Sequence, residues 1–144
     1  MSINIWAVLV CAVAAQVLGM IWYGKGMFGN KWGMIIGMDT GTMTPERMAE
    51  MKKKMMPMAI LQFVLSIITA GVLASVMNSY LVLGVGDGIK TSLLMWLGFV
   101  VPLSAGVAMW SGKPKKLAQS MFLITVSYQL VLFVIFGLVL GSWR

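Results

Sequence analysis

Residues 3–23 read INIWAVLVCAVAAQVLGMIWY, an apolar run with no charged side chain. A bilayer's hydrocarbon core is about 30 Å thick, and about 20 helical residues cross it. The run therefore predicts a membrane-spanning helix. A cleaved secretory leader is the competing reading, because Ala12-Val13-Ala14 imitates a cleavage site. Such a leader needs Lys or Arg ahead of its apolar region, and none precedes this one. The segment is read as a permanent span.

Three further runs, about 57–83, 91–110 and 117–140, have the same character. In lipid each backbone amide and carbonyl must be satisfied internally, so the spans are expected to be helices. A barrel is excluded because the runs are continuous, whereas barrel strands alternate apolar and polar residues. The expected fold is all-α: a single membrane domain over 1–144, built as a four-helix bundle.

Composition agrees. The 144 residues are 60% hydrophobic and 10% charged, with a mean hydropathy of +0.92. Soluble domains carry about 25% charge. The net charge of +7 could suggest nucleic acid, but the cations flank apolar runs, so no nucleic-acid partner is expected. Cys11, the single cysteine, lies inside the first run and is read as a small hydrophobe.

The connections carry the remaining signals. GVGDGIK (84–90) has the composition of a tight turn. SGKPKK (111–116) places Pro114 at the start of the last helix. In the longer connection, 24–56, Thr44-Pro45-Glu46 is a helix start: an N-cap, a first-turn proline and an acid at the positive dipole end. Met48, Met51, Met55 and Met58 recur at helical spacing beside Lys52, Lys53 and Lys54. This predicts a short cytoplasmic amphipathic helix at about 45–55, lying in the membrane interface and continuing toward the second span. Pro57 should kink or break the junction.

Lys25, Lys31, Arg47 and Lys52–54 in the first connection join Lys113, Lys115 and Lys116 in the third, against Lys90 and Arg144 on the other side. The positive-inside rule then puts both termini outside the cytoplasmic membrane.

Each span offers small residues four apart, the spacing that lets helices approach closely in lipid. They are Ala7, Cys11, Ala15 and Gly19; Ser66, Ala70 and Ala74; Gly98, Pro102 and Gly106; and Gly137 and Gly141. Packing within one chain is the expectation, with one seam joining protomers as the alternative. Trp22-Tyr23-Gly24-Lys25 matches Trp110-Ser111-Gly112-Lys113 at three of four positions. Shared interfacial chemistry explains this as well as a duplicated hairpin does.

Gly24-Lys25-Gly26-Met27-Phe28-Gly29 is a literal G-x-G-x-x-G. A dinucleotide turn must follow a strand and open a helix. This one follows a spanning helix, so no nucleotide cofactor is expected. Its neighbours Trp22, Tyr23, Phe28 and Trp32, with Trp110 and Trp143, are expected as membrane-interface anchors.

Polar residues inside spans are the usual functional hints. Gln16, Thr69, Ser104, Tyr128 and Gln129 form a candidate mid-membrane cluster, with Gln62 and Asn78 nearer the ends. Interhelical hydrogen bonding is the bland reading; a pathway for a small neutral solute is the sharper one. Met48, Met51, Met55, Met56 and Met58 suggest Cu(I) by ligand softness, yet no His or Cys supports them, and methionine fills apolar interfaces well. No metal site is expected. Asp39, Glu46 and Glu50 belong to a solvated connection, with Glu50 spaced to pair with Lys54. No catalytic residues, and no enzyme, are expected.

Taken together, Gly19-x-x-Trp22-Tyr23-Gly24, Phe28-Gly29, Trp32, Trp96-Leu97-Gly98-Phe99, Gly112-Lys113-Pro114, Tyr128 and Trp143 run through most of the chain. In order and spacing they resemble the prokaryotic domain-of-unknown-function family 1761, small four-span membrane proteins. The resemblance implies fold and location and transfers no activity. Two positions depart from the family's pattern: Ser111 stands where an acidic residue is frequent, and Tyr128-Gln129 where a Tyr-His pair is. A titratable role at either would be absent here. The expected function is a structural or accessory subunit, a homo-oligomer or a component of a larger membrane complex. A transporter or channel for a small neutral solute is the alternative.

The orientation is testable by cysteine labelling from outside intact cells. A cysteine replacing Asp87 should label and one replacing Lys115 should not; external labelling at 115 would invert the topology.

Overall fold

The chain's architecture is that of a computed structural model describing residues 2–38 and 44–143. Asp39 and Arg144 lie outside the described residues. The elements are α1 (Ile5–Trp22), α2 (Gly29–Ile35), α3 (Pro45–Ser79), α4 (Val85–Met109) and α5 (Lys115–Ser142). The described residues contain no strand. Four helices, all but the short α2, are long and apolar enough to cross a membrane.

Local chemistry sets the helix starts. The Asn4 side chain accepts from the Trp6 and Ala7 amides at 3.1 and 3.4 Å, capping α1. Thr44 accepts from the Arg47 amide at 3.4 Å, with Pro45 and Glu46 in the first turn of α3. Pro57, expected to kink or break the junction, does not break it: α3 is a continuous 35-residue helix with Pro57 inside it. An interior proline loses one hydrogen bond and crowds the carbonyl four residues back. Residues 52–62 are exposed throughout, so the backbone can yield there without disturbing any packing. The 45–55 segment is the first part of α3 and runs on into the second span. At about 1.5 Å per residue α3 is about 52 Å long, about 20 Å more than the hydrocarbon requires.

The expected turn at 84–90 is also corrected. The chain reverses earlier, over Tyr80–Gly84, and α4 is helical from Val85. Leu81 takes a left-handed conformation (φ 49°), and the Val82 amide donates to Met77 O at 3.1 Å. This is a Schellman closure without glycine. The left-handed residue costs about 1–2 kcal/mol, which burial of Val82 helps to offset.

Gly88, inside that stretch, serves packing instead. A Cβ on Gly88 would lie 2.5 Å from Gly137 O and 3.0 Å from Gly141 Cα. One on Gly137 would lie 2.7 Å from Ser92 Oγ and 2.8 Å from Gly88 O. Gly84, Gly88 and Ser92 on α4 thus face Gly137 and Gly141 on α5, backbone against backbone. Small residues permit this approach where no hydrophobic effect drives helices together.

Consecutive spanning helices are antiparallel, and α5 touches all the others. Ala7, Cys11 and Ala15 on α1, with Ser66, Ala70 and Ala74 on α3, are buried. Those seams, and that of α5, close inside the molecule. The third does not: Gly98 and Pro102 are exposed, and a Cβ on Gly98 or Gly106 would meet nothing within 4 Å. Pro102 also explains the π-helical turn Trp96–Val100 in α4. It cannot donate to Gly98 O, and its ring would crowd that carbonyl, so the helix widens by one residue just before it.

Gly88→Ala should destabilise the bundle by about 1–3 kcal/mol, as overpacking does, while Gly98→Ala should change it by less than about 0.5 kcal/mol. Unfolding in mixed detergent–SDS micelles measures both. Equal effects would refute the assignment of the tight crossing.

Candidate functional site

Where α1 meets α2, the chain turns back on itself. The Phe28 amide donates to Trp22 O at 3.1 Å and the Gly29 amide to Gly24 O at 2.9 Å. A Cβ on Gly24 would fall 2.6 Å from Met20 O, and one on Gly29 2.6 Å from Gly24 O. The outer glycines of the G-x-G-x-x-G string are therefore a steric necessity of this knuckle, and Gly26 faces open space. The string follows helix α1.

The knuckle gathers an aromatic cluster. Trp22 lies 5.3 Å from Phe28 and 6.4 Å from Tyr128, measured between ring centroids. Tyr23 lies 4.9 Å from Trp32 and 5.4 Å from Tyr128. All four pairs are tilted, the arrangement ring quadrupoles favour by about 0.5–1.5 kcal/mol per pair. Trp22, Tyr23, Phe28 and Trp32 are half-buried and Tyr128 is buried. These aromatics bind the knuckle to α5. Trp110 and Trp143, the other expected anchors, are 87% and 48% exposed.

The same region is fastened by side-chain donors on backbone carbonyls. The Tyr128 hydroxyl donates to Ala15 O at 3.0 Å, between α5 and α1. The indoles of Trp22 and Trp96 donate to Ile124 O and Val126 O of α5 at 3.2 and 3.1 Å. Gly19 sits against the Tyr128 hydroxyl, with room for no larger group than a methyl. Trp96 was not among the expected site residues; its position two residues before Gly98, inside an apolar run, carries no polar signal.

Several polar residues of the spans bond to backbone carbonyls. Gln16 donates to Ala59 O on α3 at 2.6 Å, two residues past Pro57. Thr69 is exposed and donates to Leu65 O one turn back at 2.9 Å. Ser66 does the same to Gln62 O at 2.9 Å. Ser104 and Gln129 are half-buried on α4 and α5. Ser92 is fully buried between those helices, and its hydroxyl has no partner among the described residues.

Among the cavities that the described residues form, three open at the surface near the helix ends. One of about 460 Å³ lies in the fork between α4 and α5, lined by residues that include Ala105, Met109, Lys113, Lys115 and Phe122. One of about 170 Å³ lies where Asn4 nears Trp143, and one of about 450 Å³ beside Asp87 and Lys90. None of the three is lined by Gln16, Thr69, Ser104, Tyr128 or Gln129.

Charged groups lie at the helix ends and on the first half of α3. The Lys113 ammonium donates to Ile35 O at 2.7 Å, closing the C-terminal end of α2 where a cation is favoured. It also fixes the two basic connections at one end of the bundle. Lys90 and Asp87 form the single ion pair among the described residues, 3.7 Å apart and exposed. Glu50 and Lys54 do not pair, consistent with the small gain of a solvated ion pair. Glu46, Glu50, Met48, Met55, Met56 and Met58 are exposed on the free half of α3, and Met51 is half-buried. No three His, Cys, Asp or Glu residues among the described residues are placed to hold a metal ion.

Tyr128→Phe keeps the ring cluster and deletes the bond to Ala15. It should cost about 0.6 kcal/mol, the usual worth of an interhelical hydrogen bond in lipid, read by the same SDS titration. A loss several times larger would mean that the hydroxyl does more than join two helices.

No curated protein and no solved structure matches the chain significantly. A family model matches residues 6–141, nearly the whole length, and its description is a protein of unknown function, DUF1761. The knuckle, the aromatic cluster and the glycine crossing all fall within the matched region, and the chain belongs to the DUF1761 family.

Proposed function

We infer that this protein is a non-enzymatic, multi-pass subunit of the cytoplasmic membrane that works through lateral helix contacts, as a homo-oligomer or with other membrane subunits. The observation that carries this reading is the outward face of α4. It is the least buried of the four candidate spans. Its small-residue row, Gly98, Pro102 and Gly106, has nothing against it, whereas the rows of α1, α3 and α5 are covered. Phe99, Leu103 and Val107 rise beside that row, each more than 60% exposed. A partner helix would gain close backbone approach there, the main source of association in lipid.

A solute pathway is less well supported. The polar side chains at mid-depth bond to nearby carbonyls or lie apart, and none lines the three cavities. For orientation, the placement of Lys25, Lys31, Lys113, Lys115 and Lys116 at one end of the bundle supports a cytoplasmic location for that end and external termini.

Purified in a gentle detergent, the wild-type chain should run as a defined oligomer or bring down membrane partners. Gly98→Leu with Gly106→Leu should shift it to a monomer with its helix content unchanged. A clean wild-type monomer across several mild detergents would overturn the proposal.

A further inference from the structure

The fork between α4 and α5 combines two features that rarely share a cavity wall by accident. Its lining is mostly apolar, with Ala105, Ala108, Ala118, Met109 and Phe122 beside one uncharged polar side chain, Gln119. Its mouth carries Lys113 and Lys115. The Lys113 ammonium is held in place by Ile35 O at 2.7 Å, which uses one of its three protons and leaves two. Pro114 gives α5 no side-chain cap, so the first amides of this 28-residue helix, which starts at the lining residue Lys115, have no internal acceptor. No acidic side chain lines the cavity.

We propose that this fork is a binding site for one anionic phospholipid, its phosphate between Lys113 and Lys115 and an acyl chain along the alanine floor against Phe122. Charge complementarity selects the head: two ammonium groups and a helix N-terminus favour a phosphate of net negative charge over a zwitterion. Apolarity selects the tail: free phosphate would leave a cavity of about 460 Å³ with alanine and phenylalanine walls unfilled. The site lies where a lipid would need it, at the end of two spanning helices on the basic end of the bundle. Lys113 couples it to α2, so an occupied site would tie the α4–α5 hairpin to the aromatic knuckle. The inference rests on the membrane reading of the chain and not on its role as a subunit.

The test is thermal unfolding of the purified full-length chain in detergent, titrated with phosphatidylglycerol or with phosphatidylcholine of the same acyl chains. Wild type should be stabilised at lower concentrations of phosphatidylglycerol. Lys115→Gln, an exposed side chain, should reduce that preference about fivefold, the effect of one cation near a phosphate surface. Ala105→Leu should abolish the preference with both charges in place. Lys52→Gln, Lys53→Gln and Lys54→Gln together should leave it intact. No preference in wild type, a preference surviving Lys115→Gln and Ala105→Leu, or its loss in the triple variant would each overturn the site. So would equal stabilisation by inorganic phosphate alone. If Ala105→Leu fails to fold, Lys115→Gln still decides. A wild-type monomer that keeps the lipid preference would defeat the subunit role and leave this site standing.

Discussion

The crossing of Gly88 over Gly137 is the contact on which the bundle depends. Helices in lipid gain nothing by hiding apolar side chains from one another, since lipid tails are equally apolar. They must gain by approaching closely. At this crossing a single added methyl would lie 2.5 Å from a carbonyl oxygen, so the two backbones are already as near as they can come. The price is paid at Ser92, whose hydroxyl is buried without a partner among the described residues. A buried, unpaired hydroxyl is unfavourable.

From that crossing the rest follows along α5. With its glycine end closed on α4, the helix presents Ile124 and Tyr128 to α1 and the knuckle. Trp22 and Trp96, from different helices, reach α5 carbonyls two residues apart. Each indole adds a second donor to a carbonyl already inside a helix, so neither helix has to open. The sequence likeness between Trp22-Tyr23-Gly24-Lys25 and Trp110-Ser111-Gly112-Lys113 does not describe this geometry. Trp22 points inward and Trp110 is 87% exposed. By role, the counterpart of Trp22 is Trp96.

Much of this was legible in the residues. Uncharged runs of spanning length gave four helices, and Thr44-Pro45-Glu46 gave a helix start to the residue. The small-residue rows of α1, α3 and α5 were visible from their spacing of four. What was misread has a common cause. Gly88 reads as part of a turn because glycine serves turns and close helix contacts equally well, and only the facing Gly137 and Gly141 distinguish the two uses. Pro57 leaves both a kink and a break open because its local cost is visible, whereas the exposure that lets the helix run on is a tertiary fact. The polar residues could be assigned to spans but not to partners: Gln16 meets a carbonyl and not another side chain, and no pattern in a sequence encodes that.

The two prolines of the long helices show how differently lipid-scale helices accommodate the same defect. Pro57 lies among exposed residues, and α3 passes it without changing helix type. Pro102 follows a region already fixed, because Ser92 and Trp96 are held against α5. The helix cannot bend freely there, so it widens by one residue between Trp96 and Val100. That extra residue advances the register of everything after it. Gly98, Pro102 and Gly106 are offset by two residues from the row of Gly84, Gly88 and Ser92, about 200° around the helix, so they lie on the side of α4 turned away from α5. The two sides of α4 thus differ in use: Gly88 and Ser92 close on α5 and build the fold, while Gly98 and Pro102 lie exposed on the other side.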